Sequence, residues 1–329
     1  CRVSSVSARN SLRVKTEQLA PVGVRHALPR THARRRFQGA RVQSGEATLA
    51  PRDAGGILDL GIEGLLARLG PALALAVCMW LPFAQVTELL GLSGLDGAAF
   101  DLATLAWTAL SMVPLGATAA VVTSLVGDAL AERGTSVAAG ISRGLARAPG
   151  AIVLLLVTQV LTLPLLFLCI APYFLVYWLT WAAVPIYVLE GEGLLTPAER
   201  ARARRRPFAW LASFPRRVAR AIARSVRLSR GSAALGRWVL LAVVGQLMLG
   251  GVLELGALAL NYPEARETLR SELGLSGTAA EFALGSFAAL FTALSACLRA
   301  ALMTAYYLDL RVRREGWDLE LALARAEGA

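Results

Sequence analysis

Residues 151–189 read AIVLLLVTQVLTLPLLFLCIAPYFLVYWLTWAAVPIYVL, without one charged side chain. A helix crosses a bilayer with about 20 apolar residues, rising roughly 1.5 Å per residue through about 30 Å of hydrocarbon. The stretch is about twice as long as one crossing needs, so it crosses twice. The fold-back belongs at residues 169–172, where Pro172 interrupts the hydrogen-bond ladder. This hairpin alone makes the chain a multi-pass membrane protein.

The remaining composition agrees. Hydrophobic residues make up 56% and mean hydropathy is +0.54, beyond the range of an ordinary soluble domain. The net charge of +11 does not indicate nucleic acid, because the arginines stand in blocks between apolar spans. A basic block beside a span orients the protein and meets anionic inner-leaflet headgroups. No helix-turn-helix, zinc or RNA-binding pattern accompanies it. Lys15 is the only lysine, and the arginine and alanine usage suggests a GC-rich bacterial genome. Cys78, Cys169 and Cys297 are far apart and read as small buried hydrophobes. Cys1, with no Met before it, reads as a truncated or misassigned start rather than a lipidated first residue. Residues 1–54 form a basic tail with no persistent period, expected to be disordered, and lack a signal peptide's apolar core.

Outward from the hairpin, further spans are expected at residues 69–90, 102–126, 235–260 and 279–307, with residues 151–168 and 172–189 as the two arms. The six-span domain then covers residues 55–321, including a basic linker at residues 190–234, and residues 322–329 form a C-terminal tail. The arginines test the count. Residues 85–101 hold Glu88, Asp96 and Asp101 without a basic residue, whereas the next connection holds Arg133, Arg143 and Arg147. The hairpin tip is neutral, and arginines then crowd the linker from Arg200 to Arg237. Arg266 and Arg270 are outweighed by Glu264, Glu267, Glu272 and Glu281, and Arg311, Arg313, Arg314 and Arg325 follow span six. Basic and non-basic connections alternate, which puts both termini in the cytoplasm of a bacterial cell with the spans in its inner membrane.

The fold class expected is therefore all-α: a polytopic bundle of six transmembrane helices, read as three two-helix repeats with interfacial amphipathic helices. Three short approaches start at Ile62, Ile141 and Ile222 and end near Pro71, Pro149 and Gly231. Each even-numbered span leaves through an acid followed by glycine: Asp128, Glu190 and Asp309. Within the linker, Thr196-Pro197-Ala198-Glu199 is a helix-start signature. Beyond it, Leu211, Phe214, Val218 and Ile222 make one apolar face, flanked by Arg216, Arg217, Arg220 and Arg224, with Arg227 further on. Such a helix is expected in the inner leaflet, its arginines on anionic headgroups or a membrane-protein partner.

Span six closes on Tyr306-Tyr307-Leu308-Asp309-Leu310-Arg311-Val312-Arg313-Arg314-Glu315-Gly316-Trp317-Asp318-Leu319-Glu320-Leu321. Together with Val184-Pro185-Ile186-Tyr187-Val188-Leu189-Glu190-Gly191 and Arg224-Ser225-Val226-Arg227-Leu228-Ser229-Arg230-Gly231, this resembles a bacterial family of six-span proteins. That family often carries the description "glycerophosphoryl diester phosphodiesterase membrane domain". The resemblance extends over residues 56–321, departs at residues 194–221, and implies a six-span fold with no catalytic residues to carry over. Elementary chemistry accounts for the closing motif as well. Tyr306 and Tyr307 suit a membrane–water boundary, and Asp309 with Arg313, or Arg311 with Glu315, lie one helical turn apart.

Phosphodiesterase chemistry is not expected. Soluble enzymes of that name use a (β/α)₈ barrel of roughly 250 residues, and no such length lies outside the spans. His26 and His32 are both in the tail without metal-ligand spacing, and GxSxG, HExxH and P-loop patterns are absent. The sequence therefore predicts no catalytic, cofactor-binding or metal site. Ionisable residues within spans remain the pointers to function: Glu254 in span five and Arg299 in span six. Their apparent depths differ, so each is expected to snorkel to its own surface, the alternative being a polar cavity shared with Gln159 and Gln246. Gly116, Ala120 and Ser124, and Gly285, Ala289 and Ala293, suit close helix contacts. The functional expectation is a non-enzymatic scaffold or accessory subunit, with a permease for a lipid-like or small polar compound as the alternative. An intramembrane enzyme is the weakest option.

Overall fold

In a computed structural model, the described residues are 51–89, 102–131, 135–168, 170–199, 209–260, 263–274 and 277–316. They belong to one compact unit, Ala47–Ala329. Residues 1–50 of the expected tail, Cys169 at the hairpin tip, the linker arginines 200–206 and residues 317–329 lie outside them, whereas residues 51–54, counted with the tail, are described and lead into the first helix. The helices are α1 (Ala54–Leu66), α2 (Leu69–Leu89), α3 (Leu102–Leu130), α4 (Val137–Leu168), α5 (Ile170–Thr180), α6 (Ala183–Glu190) and α7 (Ala209–Ser229). After these come α8 (Ser232–Leu240), a π-helical segment (Leu241–Gly250), α9 (Gly251–Ala259), α10 (Pro263–Leu273) and α11 (Gly277–Glu315). No strand occurs among the described residues.

Among the described residues six stretches are long and apolar enough to cross a membrane: Leu69–Val86, Thr108–Leu130, Val137–Thr162, Ile170–Glu190, Ser232–Ala257 and Ala280–Glu315. The chain is thus an all-α, multi-pass membrane bundle. Its spans fall into two classes. Spans two, four and six are 67, 56 and 67% buried, against 17, 28 and 18% for spans one, three and five. The even spans form an inner core in which each touches the other two, α3 against α6, α3 against α11, and α6 against α11. The odd spans lie outside and keep Leu145, Val160, Leu247, Val252 and Leu255 exposed, as a lipid-facing surface requires.

The packing is cyclic. Span one contacts spans six and two, and span three contacts spans two and four. Span five contacts span six through its π-helical segment and α9 and span four through Trp238, whose ring meets Tyr177 and Trp181. Each odd span therefore bridges the even span of its own unit and that of the unit before it, the third unit closing onto the first. This is the arrangement expected of three two-span repeats.

Small residues permit the closest approaches. A Cβ on Gly116 would lie 2.7 Å from the Ile152 backbone, and one on Gly144 would lie 2.5 Å from Val121 Cα. Gly116 and Ala120 thus belong to the contact of α3 with α4. Between helices in lipid, such van der Waals fit replaces the hydrophobic drive of water.

The three approaches are less alike than their sequences. Asp53 caps α1, accepting from Gly56 N at 2.8 Å, and the chain breaks before Leu69, leaving Pro71 in the first turn of α2. The second approach does not break at all. α4 runs through Pro149 as one helix from Val137 to Leu168, because Gly140, Gly144 and Gly150 let it lie against Leu125, Val121 and Tyr187. The third breaks at Gly231, whose φ of 122° suits glycine.

Candidate functional site: acid–arginine junctions and a polar cavity

Each even span ends in an acid, and each acid receives the approach of the next unit. Arg143, at the start of α4, reaches Asp128 at 2.7 Å. Arg224 on α7 reaches Glu190 at 2.6 Å, and Tyr307 donates its hydroxyl to the same carboxylate at 2.8 Å. Asp309 accepts the backbone N–H of Arg52, just before α1, at 3.0 Å. It also faces Arg313 at 2.9 Å and Arg237 at 3.4 Å, with its own side chain only 1% exposed. Buried carboxylates need such partners, because an unpaired charge away from water is costly. The three junctions tie the units together at one end of the bundle.

α7 differs from its sequence expectation. Val218, Ala221 and Leu228 are buried in the core, with Phe214 and Ile222 packed against it, and α7 contacts α4, α5, α6 and α11. Over its described side chains the apolar face packs on the protein rather than on a leaflet; the Leu211 side chain of the expected face lies outside the described residues. The five arginines divide accordingly. Arg224 bridges Glu190 and Glu315, the latter at 2.8 Å. Arg220 donates to Glu199 at 2.6 Å and to the Leu194 carbonyl at 2.8 Å. Arg216 touches Glu199 at 3.4 Å with its side chain 64% exposed. Arg217 lies partly buried near Tyr187, and Arg227 is exposed. Glu199 itself completes the expected capping box: Thr196 N donates to Glu199 Oε2 at 2.9 Å, and Glu199 N donates to Thr196 Oγ1 at 3.3 Å. The Arg220 hydrogen bond, aided by the Thr196 N–H, holds the Glu199 carboxyl at about 2.

A second site lies deeper. A cavity of about 120 Å³ opens between spans two, three, four and six. Its polar lining is Thr158, Gln159, Tyr177, Thr180 and Arg299, with Trp181, Met112, Leu155 and Met303 among the apolar walls. The Thr158 and Thr180 hydroxyls donate to the Leu154 and Val176 carbonyls at 2.9 and 2.8 Å. Trp181 is 2% exposed, and its indole N–H meets no acceptor among the described residues.

Arg299 and Glu254 form a direct ion pair, contrary to the expectation from their apparent depths. Ser295 completes the group, donating to Glu254 at 2.9 Å. The register explains it. Arg237 is level with Asp309 and Glu254 with Ser295, so span five uses 254 − 237 = 17 residues where span six uses 309 − 295 = 14. The π-helical segment Leu241–Gly250 takes up the surplus, because wider i→i+5 turns advance less per residue. Counting α-helical rises placed Glu254 too far out. Of the other two polar candidates, Gln159 lines the cavity with Arg299, whereas the Gln246 side chain lies outside the described residues. Tyr177 and Trp181 were not singled out in the sequence, since aromatic residues in an apolar span carry no signal separating a cavity wall from core.

Among the described residues no group of three His, Cys, Asp or Glu is placed to hold a metal ion. No protein-family model, curated protein or solved structure matches this chain.

Proposed function

We propose that this protein is a non-enzymatic component of a bacterial inner membrane, with its arginine-rich end and both termini in the cytoplasm, serving as a scaffold or accessory subunit of a membrane assembly. The observation that supports this most is the set of three interlocked junctions at Asp128, Glu190 and Asp309. They hold the inner end rigid while leaving Arg216, Arg227 and Arg230 exposed on and just after α7. A rigid platform with a basic outer stripe suits anionic headgroups or an acidic face of a membrane-protein partner. The resemblance to six-span proteins of the phosphodiesterase-associated membrane-domain type fits the same reading, since that domain brings no known catalytic residues. Affinity capture in mild detergent tests it. The reading expects a membrane-protein partner whose recovery falls when Arg216, Arg227 and Arg230 are changed together to glutamate. A chain recovered alone under all conditions contradicts it.

A permease for a small polar or lipid-like compound is the second reading, favoured by the cavity at Arg299 within a bundle of repeated units. Flux into vesicles reconstituted with the pure protein separates the two.

A further inference from the structure

The turn that leads from α7 into span five gathers positive charge that the junction beside it does not neutralise. Asp309 is the carboxylate of that junction, and Arg313 and Arg237 already hold it at 2.9 and 3.4 Å. Arg314, next to Arg313 on α11, stands close enough to Arg237 to repel it. Its guanidinium donates to the Arg230 carbonyl, and a Cβ built on Gly231 would lie 3.1 Å from its Nη2. Arg230 and Arg314 are both exposed, and among the described residues no acid pairs with either. Glu315, the next acid on α11, is taken by Arg224 and Arg311 at 2.8 and 3.1 Å. Four guanidinium groups thus gather at this turn against one carboxylate. Like charges held so close repel, and an anion that reaches them is favoured. Gly231 gives α8 no side-chain cap, so the amides that open span five add to the same field.

The depth of the turn selects among anions. Span five starts at Ser232 and span six ends at Glu315, so Arg230 and Arg314 both stand where apolar helix gives way to water. Leu235, one turn inside α8 and about 5 Å further by helical rise, is already exposed as a lipid-facing side chain. The phosphate layer of a leaflet falls at this level. A phospholipid phosphate is kept there by its own acyl chains, as a soluble phosphate or a cytoplasmic protein is not.

We infer that the Arg230–Gly231 turn binds the phosphate of an anionic inner-leaflet phospholipid. Arg230 and Arg314 are its donors, and the Arg237–Asp309–Arg313 group behind them supplies surplus positive charge. A zwitterionic phospholipid brings its own cation and leaves that surplus standing. The inference rests on the cytoplasmic placement of the arginine-rich end proposed above, and at this turn it commits the basic surface to lipid.

The test uses the full chain in a neutral detergent, with native mass spectrometry counting bound dioleoylphosphatidylglycerol against dioleoylphosphatidylcholine. The first phosphatidylglycerol is expected to bind about tenfold more tightly than phosphatidylcholine. Arg230→Gln and Arg314→Gln should each weaken it about fivefold, the share of one arginine beside anionic headgroups, and leave phosphatidylcholine unchanged. Both side chains are exposed, so neither change disturbs the packed bundle. Arg270→Gln, at the opposite end, should alter neither lipid. Equal affinity for the two lipids, no loss in either arginine variant, or displacement by glycerol phosphate at equal concentration would overturn the inference. So would loss of a captured protein partner on Arg314→Gln with lipid binding intact, which assigns the turn to protein. Lipid selectivity in a chain that captures no partner contradicts the scaffold reading alone. A captured partner without lipid selectivity contradicts this inference alone.

Discussion

The inner-core helices are built differently at their two ends. Toward the arginine-rich end, α3 from Ala117 to Val126, α6 from Ala183 to Val188 and α11 from Ala300 to Leu310 are continuously buried. Toward the opposite end the same three spans expose Leu110, Val113, Ile170, Phe174, Phe282 and Phe287. Both halves are predominantly apolar in composition, so apolar character alone does not separate them. The sealed half has glycines at helix contacts and buried acids that each take two or more donors. In the open half the polar ties between spans include a long hydrogen bond from Gln85 to the Phe282 carbonyl and Ser286 at 3.5 Å. The Ser295–Glu254–Arg299 group stands at the border of the two halves. In lipid, where apolar contact is nearly as favourable with acyl chains as with protein, small residues and paired polar groups decide where helices close up.

Four changes test that contrast, beginning with the largest effect. Asp309→Ala leaves Arg237 and Arg313 without their buried carboxylate and should cost about 3–5 kcal/mol, read as an earlier transition in detergent-induced unfolding followed by helicity. Gly144→Val drives a side chain into the Val121 backbone and should cost about 3 kcal/mol, the upper range for overpacking, in the same titration. Tyr307→Phe removes one hydrogen bond to Glu190 and should cost about 1.5 kcal/mol. Phe287→Ala, in the open half, should stay within about 0.5 kcal/mol. Equal sensitivity at Phe287 and Gly144 would erase the distinction between the halves.

A fifth outcome concerns the edge of the sealed end. The Glu199 carboxyl is held at about 2, below its ordinary 4.5, by Arg220 and the Thr196 N–H. A depressed carboxyl contributes its stabilisation fully above the ordinary value and loses it as pH falls toward the folded one. Spin labels on Ala198 and Ala219 should therefore keep their separation at pH 4 and lose it only as pH approaches 2. Glu199→Gln should remove that acid-dependent step. Opening of the wild-type contact near 4.5 would show that Arg220 does not hold the carboxyl.

Much of the architecture is legible in the residues. Charge-free length predicts the hairpin of spans three and four, and alternation of arginine with acid predicts six crossings rather than five. The acid closing each even span, and the Thr196–Glu199 cap, lie where local chemistry puts them. The α7 helix shows the limit of that reading. An amphipathic period says that one face is buried but not in what, and Val218 and Leu228 pack on protein where a leaflet would have satisfied the same pattern. The pairing of Arg220 and Arg224 with Glu199 and Glu190 follows from that docking. The candidate site was legible in part: Arg299, Glu254 and Gln159 stand out as polar residues in apolar spans, whereas Tyr177 and Trp181 become visible only as walls of a cavity.

By sequence alone, the chain is committed to six hydrocarbon-length helices in three repeated pairs with their arginines at one end, because span length and charge placement are local quantities set by the bilayer. Only the tertiary structure sorts even spans to the inside and odd spans to the outside, turns three acids into junctions between successive units, and brings Glu254 to Arg299. Those outcomes depend on the register between helices distant in sequence. That register is set by glycine contacts and by a π-helical segment whose shorter rise no count of apolar residues reveals.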